Sequence, residues 1–360
     1  MSPRRIVFLA VALYLLVLGC VMLPNGTSAR SPDSTRAAGA ITTVAGLPYR
    51  GVGMQIQRVD WIDKYEKSID QVADVGADTV LLVVDSRQEN GKSSHIYLDM
   101  RMTPTPEKLG ELIDHAKKRN LRVILMPIVL LDNPSGSEWR GTLHPDSWDD
   151  WFDSYRDMIN QFAWIAQGHG VDVLVVGSEL VSSEPKVEQW TKTIQLVRQT
   201  FKGNLTYSAN WDHYTSLPFW NQLDLIGMNS YYKLGDDEHV TQAEIEDRWR
   251  SIQHDLLAFH NKIGKPLLFL EVGWCSLANA ASEPWDYTQT DVSVDLDLQK
   301  RLYEAYFNVW YGNPALGGFM MWEWPPEDGG SNAQRGYTPQ GKPAEQVLRD
   351  WLAKKPWKVE

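Results

Sequence analysis

The amino-acid sequence predicts an α/β protein whose residues 47–360 form one parallel (β/α)8 barrel, and three observations carry that expectation. Short apolar runs alternate with amphipathic helical stretches. Eight such runs follow one another, and a run such as Val80-Leu81-Leu82-Val83-Val84 is apolar at every position, as a strand covered on both faces requires. Alternation of this kind argues for a parallel sheet, and eight units in about 300 residues is the size of a TIM barrel.

The elements follow in order. The first run is Gly51-Val52-Gly53-Met54, and the helix after it turns Ile62, Tyr65, Ile69 and Val72 inward. The second run spans residues 79–84 and the third residues 122–130. Between them lies a helix with Thr105 as N-cap, Pro106 at its first position, and Leu109, Leu112, Ile113 and Ala116 on the core face. A long helix with Trp151, Tyr155, Met158, Ile159, Phe162 and Ile165 on one stripe leads through Gly168 and Gly170 to the fourth run, residues 172–177. In this helix Trp148 and Trp151 stand at core spacing. The remaining runs are residues 205–208, 224–228, 266–270 and 318–322, each preceded by a helical stretch such as Val187, Trp190, Ile194 and Val197. The first run lacks a Gly-rich phosphate turn, which argues against a doubly wound open sheet.

Ahead of the barrel, Arg4 and Arg5 precede a continuous apolar run over residues 6–23, the layout of an export signal in residues 1–24. Val17-Leu18-Gly19-Cys20 resembles a bacterial lipoprotein cleavage box, with the bulkier Leu18 where a small residue is usual. The run is also near the roughly 20 residues a membrane span needs. A lipoprotein or signal-anchor tether is expected ahead of free secretion, placing the protein outside the cytoplasm. Residues 25–46 are Ser, Thr, Ala, Gly and Arg without hydrophobic period and read as a flexible linker.

A formal net charge of −11, with no basic stripe, excludes a nucleic-acid partner. Sixteen Trp and 14 Tyr exceed ordinary core needs, so some rings are expected to face a sugar-like ligand. Cys20 and Cys275 are the only cysteines, too few for a disulfide framework, and Cys275 reads as a small packing residue. No His spacing suits a catalytic zinc. The expected form is a monomer without cofactor, touching a membrane only through its N-terminal anchor.

In a barrel of this kind the chemistry sits at the C-terminal strand ends. There the fourth run ends in Glu179, the fifth in Asn210-Trp211-Asp212, the sixth in Asn229-Ser230-Tyr231-Tyr232, the seventh in Glu271-Val272-Gly273-Trp274 and the eighth in Trp322-Glu323-Trp324. An acid abutting an apolar strand is costly to bury unless paired or held for function. Glu179 and Glu271 are three βα units apart and can reach one sugar; a glycosidic bond is cleaved by two such carboxyl groups, one protonated and one ionised. Trp139, Trp211, Trp274, Trp322 and Trp324 fall on mouth loops, where an indole face can pack on a pyranose while Asn210 and Asn229 bond to its hydroxyls. At least two of the five are expected to act as platforms.

These residues resemble the clan A retaining glycosidases, and within them glycoside hydrolase family 113, whose characterised members are β-mannanases. The likeness runs through Met126-Pro127, Trp139-Arg140-Gly141, residues 148–155, Gly177-Ser178-Glu179-Leu180, Asn229-Ser230-Tyr231-Tyr232 and Glu271-Val272-Gly273-Trp274. It implies Glu179 as acid/base, Glu271 as nucleophile, Tyr231 as hydrogen-bond partner of the nucleophile and Trp322 as part of the floor of the cleaved-sugar site. Two departures stand out: Ser178 replaces the Asn that precedes the acid/base in most of the clan, and Lys233 follows the paired tyrosines where Pro is usual. The mechanism calls for Glu179 to be protonated near neutral pH, its pKa raised by burial and by the charge of Glu271. The expected activity is hydrolysis of a β-1,4-linked, mannan-type polysaccharide. A barrel that only binds a polysaccharide and a related β-glycosidase on another glycan remain open as alternatives.

Overall fold

The computed structural model describes residues 44–236, 239–326 and 334–360. The signal or anchor expected over residues 1–24, and most of the expected linker, lie outside the described residues. Among those that are described, no helix is long and apolar enough to cross a membrane.

Eight parallel strands form the barrel wall: β1 (Tyr49–Ile56), β2 (Thr79–Gln88), β3 (Arg122–Leu131), β4 (Val173–Ser178), β5 (Asn204–Ser208), β6 (Ile226–Asn229), β7 (Leu267–Val272) and β8 (Leu316–Met321). Their hydrogen-bonded order is β5-β4-β3-β2-β1-β8-β7-β6. Ala209, just past β5, links the two ends of this path. Its N–H donates to Gly227 O and its carbonyl accepts from Asn229 N, both at 3.1 Å. A two-residue strand, Ile96–Tyr97, pairs antiparallel with the end of β2.

The alternation of side chains across each strand explains why the runs are apolar throughout. In β2, Leu81 and Val83 point into the barrel with Ile124, Met126, Val173, Val175, Leu268, Leu270 and Met320. Val80, Leu82 and Val84 point outward into the layer beneath the helices. At the N-terminal end, Asp78 accepts from Arg50 Nε at 2.8 Å and also pairs with Arg122, which ties β1, β2 and β3 together below the core.

The outer layer is α1 (Ile62–Asp74), α2 (Pro106–Lys118), α3 (Trp148–Gly168), α4 (Val187–Thr200), α5 (Gln242–Ile263), α6 (Leu296–Trp310) and α7 (Pro343–Leu352). In α2 the Thr105 hydroxyl accepts from Lys108 N at 3.3 Å, and Leu109, Leu112, Ile113 and Ala116 are buried on the predicted face. The stripe of α3 is buried from Trp151 to Phe162, with Ile165 partly so. Trp151 is fully enclosed, while Trp148 packs edge-on against it at 5.6 Å and is only partly buried.

Two expectations need correction. Val187 is exposed, because as the first residue of α4 it precedes the turn that meets the sheet. No α-helix precedes β6: two 3-10 turns, Tyr214–Ser216 and Trp220–Gln222, occupy that place. Pro218 supplies no backbone donor in the middle of this connection. Phe219 and Trp220 fill the layer instead, with the Phe219 ring stacked on Trp190 at 5.2 Å.

Candidate active site

A cleft of about 1040 Å3 opens at the C-terminal ends of the strands, and Glu179 and Glu271 both line it. Each is 8% exposed. Glu179 directly follows β4 and takes a left-handed backbone conformation, with φ of 53°. A non-glycine residue there is held against steric cost, a hallmark of positions that the surrounding fold over-determines. The restraints are visible: Glu179 N–H donates to Ser208 O at 2.9 Å, and Leu180 N–H donates to the Tyr207 hydroxyl at 2.8 Å.

Both oxygens of Glu179 have donors. Asn229 Nδ2 donates to Oε1 and Arg140 Nη2 to Oε2. Glu271, at the end of β7, accepts from the Tyr231 hydroxyl at 2.7 Å. Burial pushes the Glu271 carboxyl up to about 7, and the charge of Glu179 adds to the rise, while Arg140 and the Tyr231 hydrogen bond oppose it. Glu271 has one side-chain donor, the Tyr231 hydroxyl, to offset its burial. For Arg140, burial works against the charge, but the attraction of Glu179 and then Glu271 outweighs it and keeps the guanidinium firmly cationic.

Aromatic walls complete the cleft. Trp139, Trp211 and Trp322 line it, together with Trp285 and Tyr287 from the loop between β7 and α6. The Trp211 and Trp285 rings are nearly parallel, with centroids 6.2 Å apart. The Trp322 ring lies over Gly53: a Cβ added at that glycine would sit 2.7 Å from Trp322 Cε3, so only glycine lets the indole settle there.

Several sequence-selected residues lie elsewhere. Trp274 is fully enclosed beneath α5 and α6, edge-on to Trp249 at 6.3 Å and Tyr303 at 5.7 Å, and does not reach the cleft. Trp324 is buried with its indole N–H donating to Gln71 Oε1 at 3.0 Å. Asn229 is enclosed; besides its bond to Glu179, its Oδ1 accepts from Trp211 N at 2.9 Å, so its amide is committed to protein rather than free for a sugar. Asn210 does line the cleft. Ser178, which stands in the place usual for Asn, is 1% exposed and its hydroxyl is buried without a partner. Cys275 is buried, and burial pushes its thiol up to about 12, the state of a packing residue.

Sequence reading assigned no role to Arg140, Trp285 or Glu323. Arg140 sits within a quoted motif, yet its contact with Glu179 joins residues far apart in the chain. Trp285 lies in a loop without periodicity, and Glu323 was overshadowed by its two Trp neighbours. Among the described residues, no three His, Cys, Asp or Glu side chains converge as metal ligands.

The sequence pattern of glycoside hydrolase family 113 matches residues 52–342. Among solved structures, the chain is similar to a β-mannanase of that family from Alicyclobacillus acidocaldarius, solved in complex with ManMIm. Identity is 29%, the TM-score is 0.77, and 86% of this chain and 99% of that one are covered. A β-1,4-mannanase of the same family matches at 24% identity and a TM-score of 0.77, covering 86% of this chain and 100% of the other. A β-glucuronidase from Bifidobacterium dentium matches at 14% identity and a TM-score of 0.57, covering 87% of this chain and 47% of the other. The last two likenesses show the barrel fold alone. Among curated proteins none matches this chain.

Proposed function

The chain belongs to glycoside hydrolase family 113, and from that premise we propose that it cleaves a β-1,4-linked, mannan-type polysaccharide within the chain, by double displacement at Glu271 and Glu179. The observation that carries this reading is the pair itself: two glutamates from opposite sides of one barrel mouth, lining one cleft, each held by its own donors.

Glu271 attacks the anomeric carbon as the glycosidic bond breaks, and the proton of Glu179 passes to the leaving oxygen. A glycosyl ester on Glu271 results. Glu179, now a carboxylate, takes a proton from water; that water attacks the anomeric carbon, releases Glu271 and leaves the configuration retained. Arg140 and the Tyr231 hydrogen bond favour the ionised form of Glu271 that attacks, against the burial that raises its carboxyl. The productive arrangement has the proton on Glu179 and the charge on Glu271, where the Tyr231 hydroxyl donates. Arg140 supplies the positive charge that lets two carboxyl groups share so enclosed a site.

The similarity to a β-mannanase of the same family favours mannan among neutral β-glycans. The basic and apolar pattern of residues 1–24 supports a location outside the cytoplasm, with a tether to the envelope. The test compares the wild-type protein with Glu271→Ala on β-mannan, glucomannan, xylan and β-glucan, following reducing ends. Release of oligosaccharides from mannan by wild type alone, with a loss of several orders of magnitude in the variant, is the expected result. Binding without cleavage by both proteins would replace this reading with that of a polysaccharide-binding barrel.

A further inference from the structure

Glu179, Glu271 and Glu323 line the cleft, and Glu323 differs from the other two in having no partner among the described residues. Glu179 has Arg140 and Asn229, and Glu271 has Tyr231. Glu323 makes no hydrogen bond or ion pair with any described residue, and burial alone pushes its carboxyl up to about 7. Glu323 is partly buried at the cleft wall, and a carboxylate there without protein donors among the described residues is left for a ligand to satisfy.

Its surroundings say what would satisfy it. Glu323 follows Trp322, whose ring is seated on Gly53, and it is close enough to Glu271 to raise that group's pKa. Trp324 N–H donates to Gly53 O at 2.7 Å, which holds the end of β8 against β1, where Gln55 also lines the cleft. An aromatic floor, an unpaired carboxylate and an amide within one corner form a site for a pyranose. The ring's C–H face rests on the indole, and its hydroxyls have both an acceptor and a donor.

We propose that Glu323 is a specificity-determining residue that accepts hydrogen bonds from the hydroxyls of the sugar lying over Trp322, on the Glu271 side of the cleaved bond, and thereby selects neutral sugars over uronic ones. This rests on the hydrolase reading for the identity of the cleaved bond. Hydroxyl-to-carboxylate bonds are charge-assisted and short, so two hydroxyls can satisfy both oxygens at once. A uronate in the same place would bring a further negative charge against Glu323 and Glu271 in a low-dielectric pocket, and would be rejected.

The experiment separates this from a structural role and from the activity itself. Calorimetry measures mannotetraose, cellotetraose and xylotetraose binding to the full chain carrying Glu271→Gln, which cannot turn over, with and without Glu323→Ala; thermal unfolding is followed in parallel. Loss of affinity for the bound glycan by at least about 10-fold, with an unchanged or raised melting temperature, is the expected result. Glu323→Gln, which keeps shape and loses charge, should fall between the two for neutral sugars and gain affinity for the β-1,4-linked tetramer of glucuronic acid, titrated in the same way, which the protein with Glu323 rejects. Affinity unchanged within two-fold, a lowered melting temperature with no selective loss of binding, or failure of all three tetrasaccharides to bind would each overturn the proposal. If Glu323-dependent binding appears but the wild type cleaves no glycan, the hydrolase reading fails while the role of Glu323 in recognition stands.

Discussion

The Tyr207 hydroxyl joins Glu184 to the backbone that carries Glu179: it accepts from Leu180 N–H at 2.8 Å and donates to Glu184 Oε1 at 2.9 Å. Glu184 is 3% exposed, and burial pushes its carboxyl up to about 7. Because Leu180 follows a residue with φ of 53°, this chain of bonds holds the turn that aims Glu179 into the cleft. Tyr207→Phe should lower kcat by about 10-fold or more with little change in KM, and cost about 1–3 kcal/mol of stability. Steady-state kinetics alongside thermal unfolding checks it; an unaltered kcat would remove Tyr207 from any role in positioning.

The pH profile of kcat/KM should rise on its acid side through about 7, as Glu271 loses its proton and becomes the nucleophile. The Tyr231 bond favours ionised Glu271, so Tyr231→Phe raises that pKa and moves the acid limb to higher pH, with a rate loss of about 10- to 100-fold. Arg140→Gln should move it further in the same direction, because Arg140 opposes the rise in Glu271 more strongly than Tyr231 does. Limbs moving to lower pH would contradict this account of the site.

Trp285 and Trp274 offer a contrast between cleft and core. Trp285→Ala, which removes a half-exposed wall stacked near Trp211, should raise KM by about 2- to 10-fold and leave the melting temperature nearly unchanged. Trp274→Ala should cost about 3–5 kcal/mol of stability while leaving KM close to wild type in whatever protein remains folded. Kinetics and unfolding of the two variants side by side check both halves.

Gly53→Ala would drive a methyl group to within 2.7 Å of the Trp322 ring. The indole must shift, and misplacing the sugar floor should lower kcat/KM by about 10- to 100-fold without unfolding the barrel. Retention of full activity would show that the ring moves without consequence.

A mass spectrum of the mature N-terminus should show either diacylglycerol on Cys20 or an intact apolar run over residues 6–23. Cleavage without lipid would make the protein freely secreted.

The barrel was legible because its signals are local. Eight apolar runs, the Thr105 cap and the stripes of α2 and α3 follow from burial on a repeating geometry, and each can be read within a dozen residues. The failures on the fold have the same origin. The connection between β5 and β6 has a helical stretch's share of apolar residues, but Phe219 and Trp220 bury without a helix around them, a choice made by contact with Trp190.

For the site, sequence alone pointed to the two glutamates that the fold brings to one cleft, since an acid at the end of an apolar strand is conspicuous wherever the strand lies. Tertiary structure decided everything that depends on direction and distance. Trp274 and Trp322 both follow strand ends, yet one turns into the helix layer and the other onto Gly53 within the cleft. Asn229 turned out to serve Glu179 rather than stand free for a sugar, Arg140 became its counter-charge, and burial raised the Glu271 carboxyl. The physical reason is that residue type and spacing establish which groups reach the barrel mouth, whereas the charge state and partner of each are set by neighbours that folding brings from distant parts of the chain.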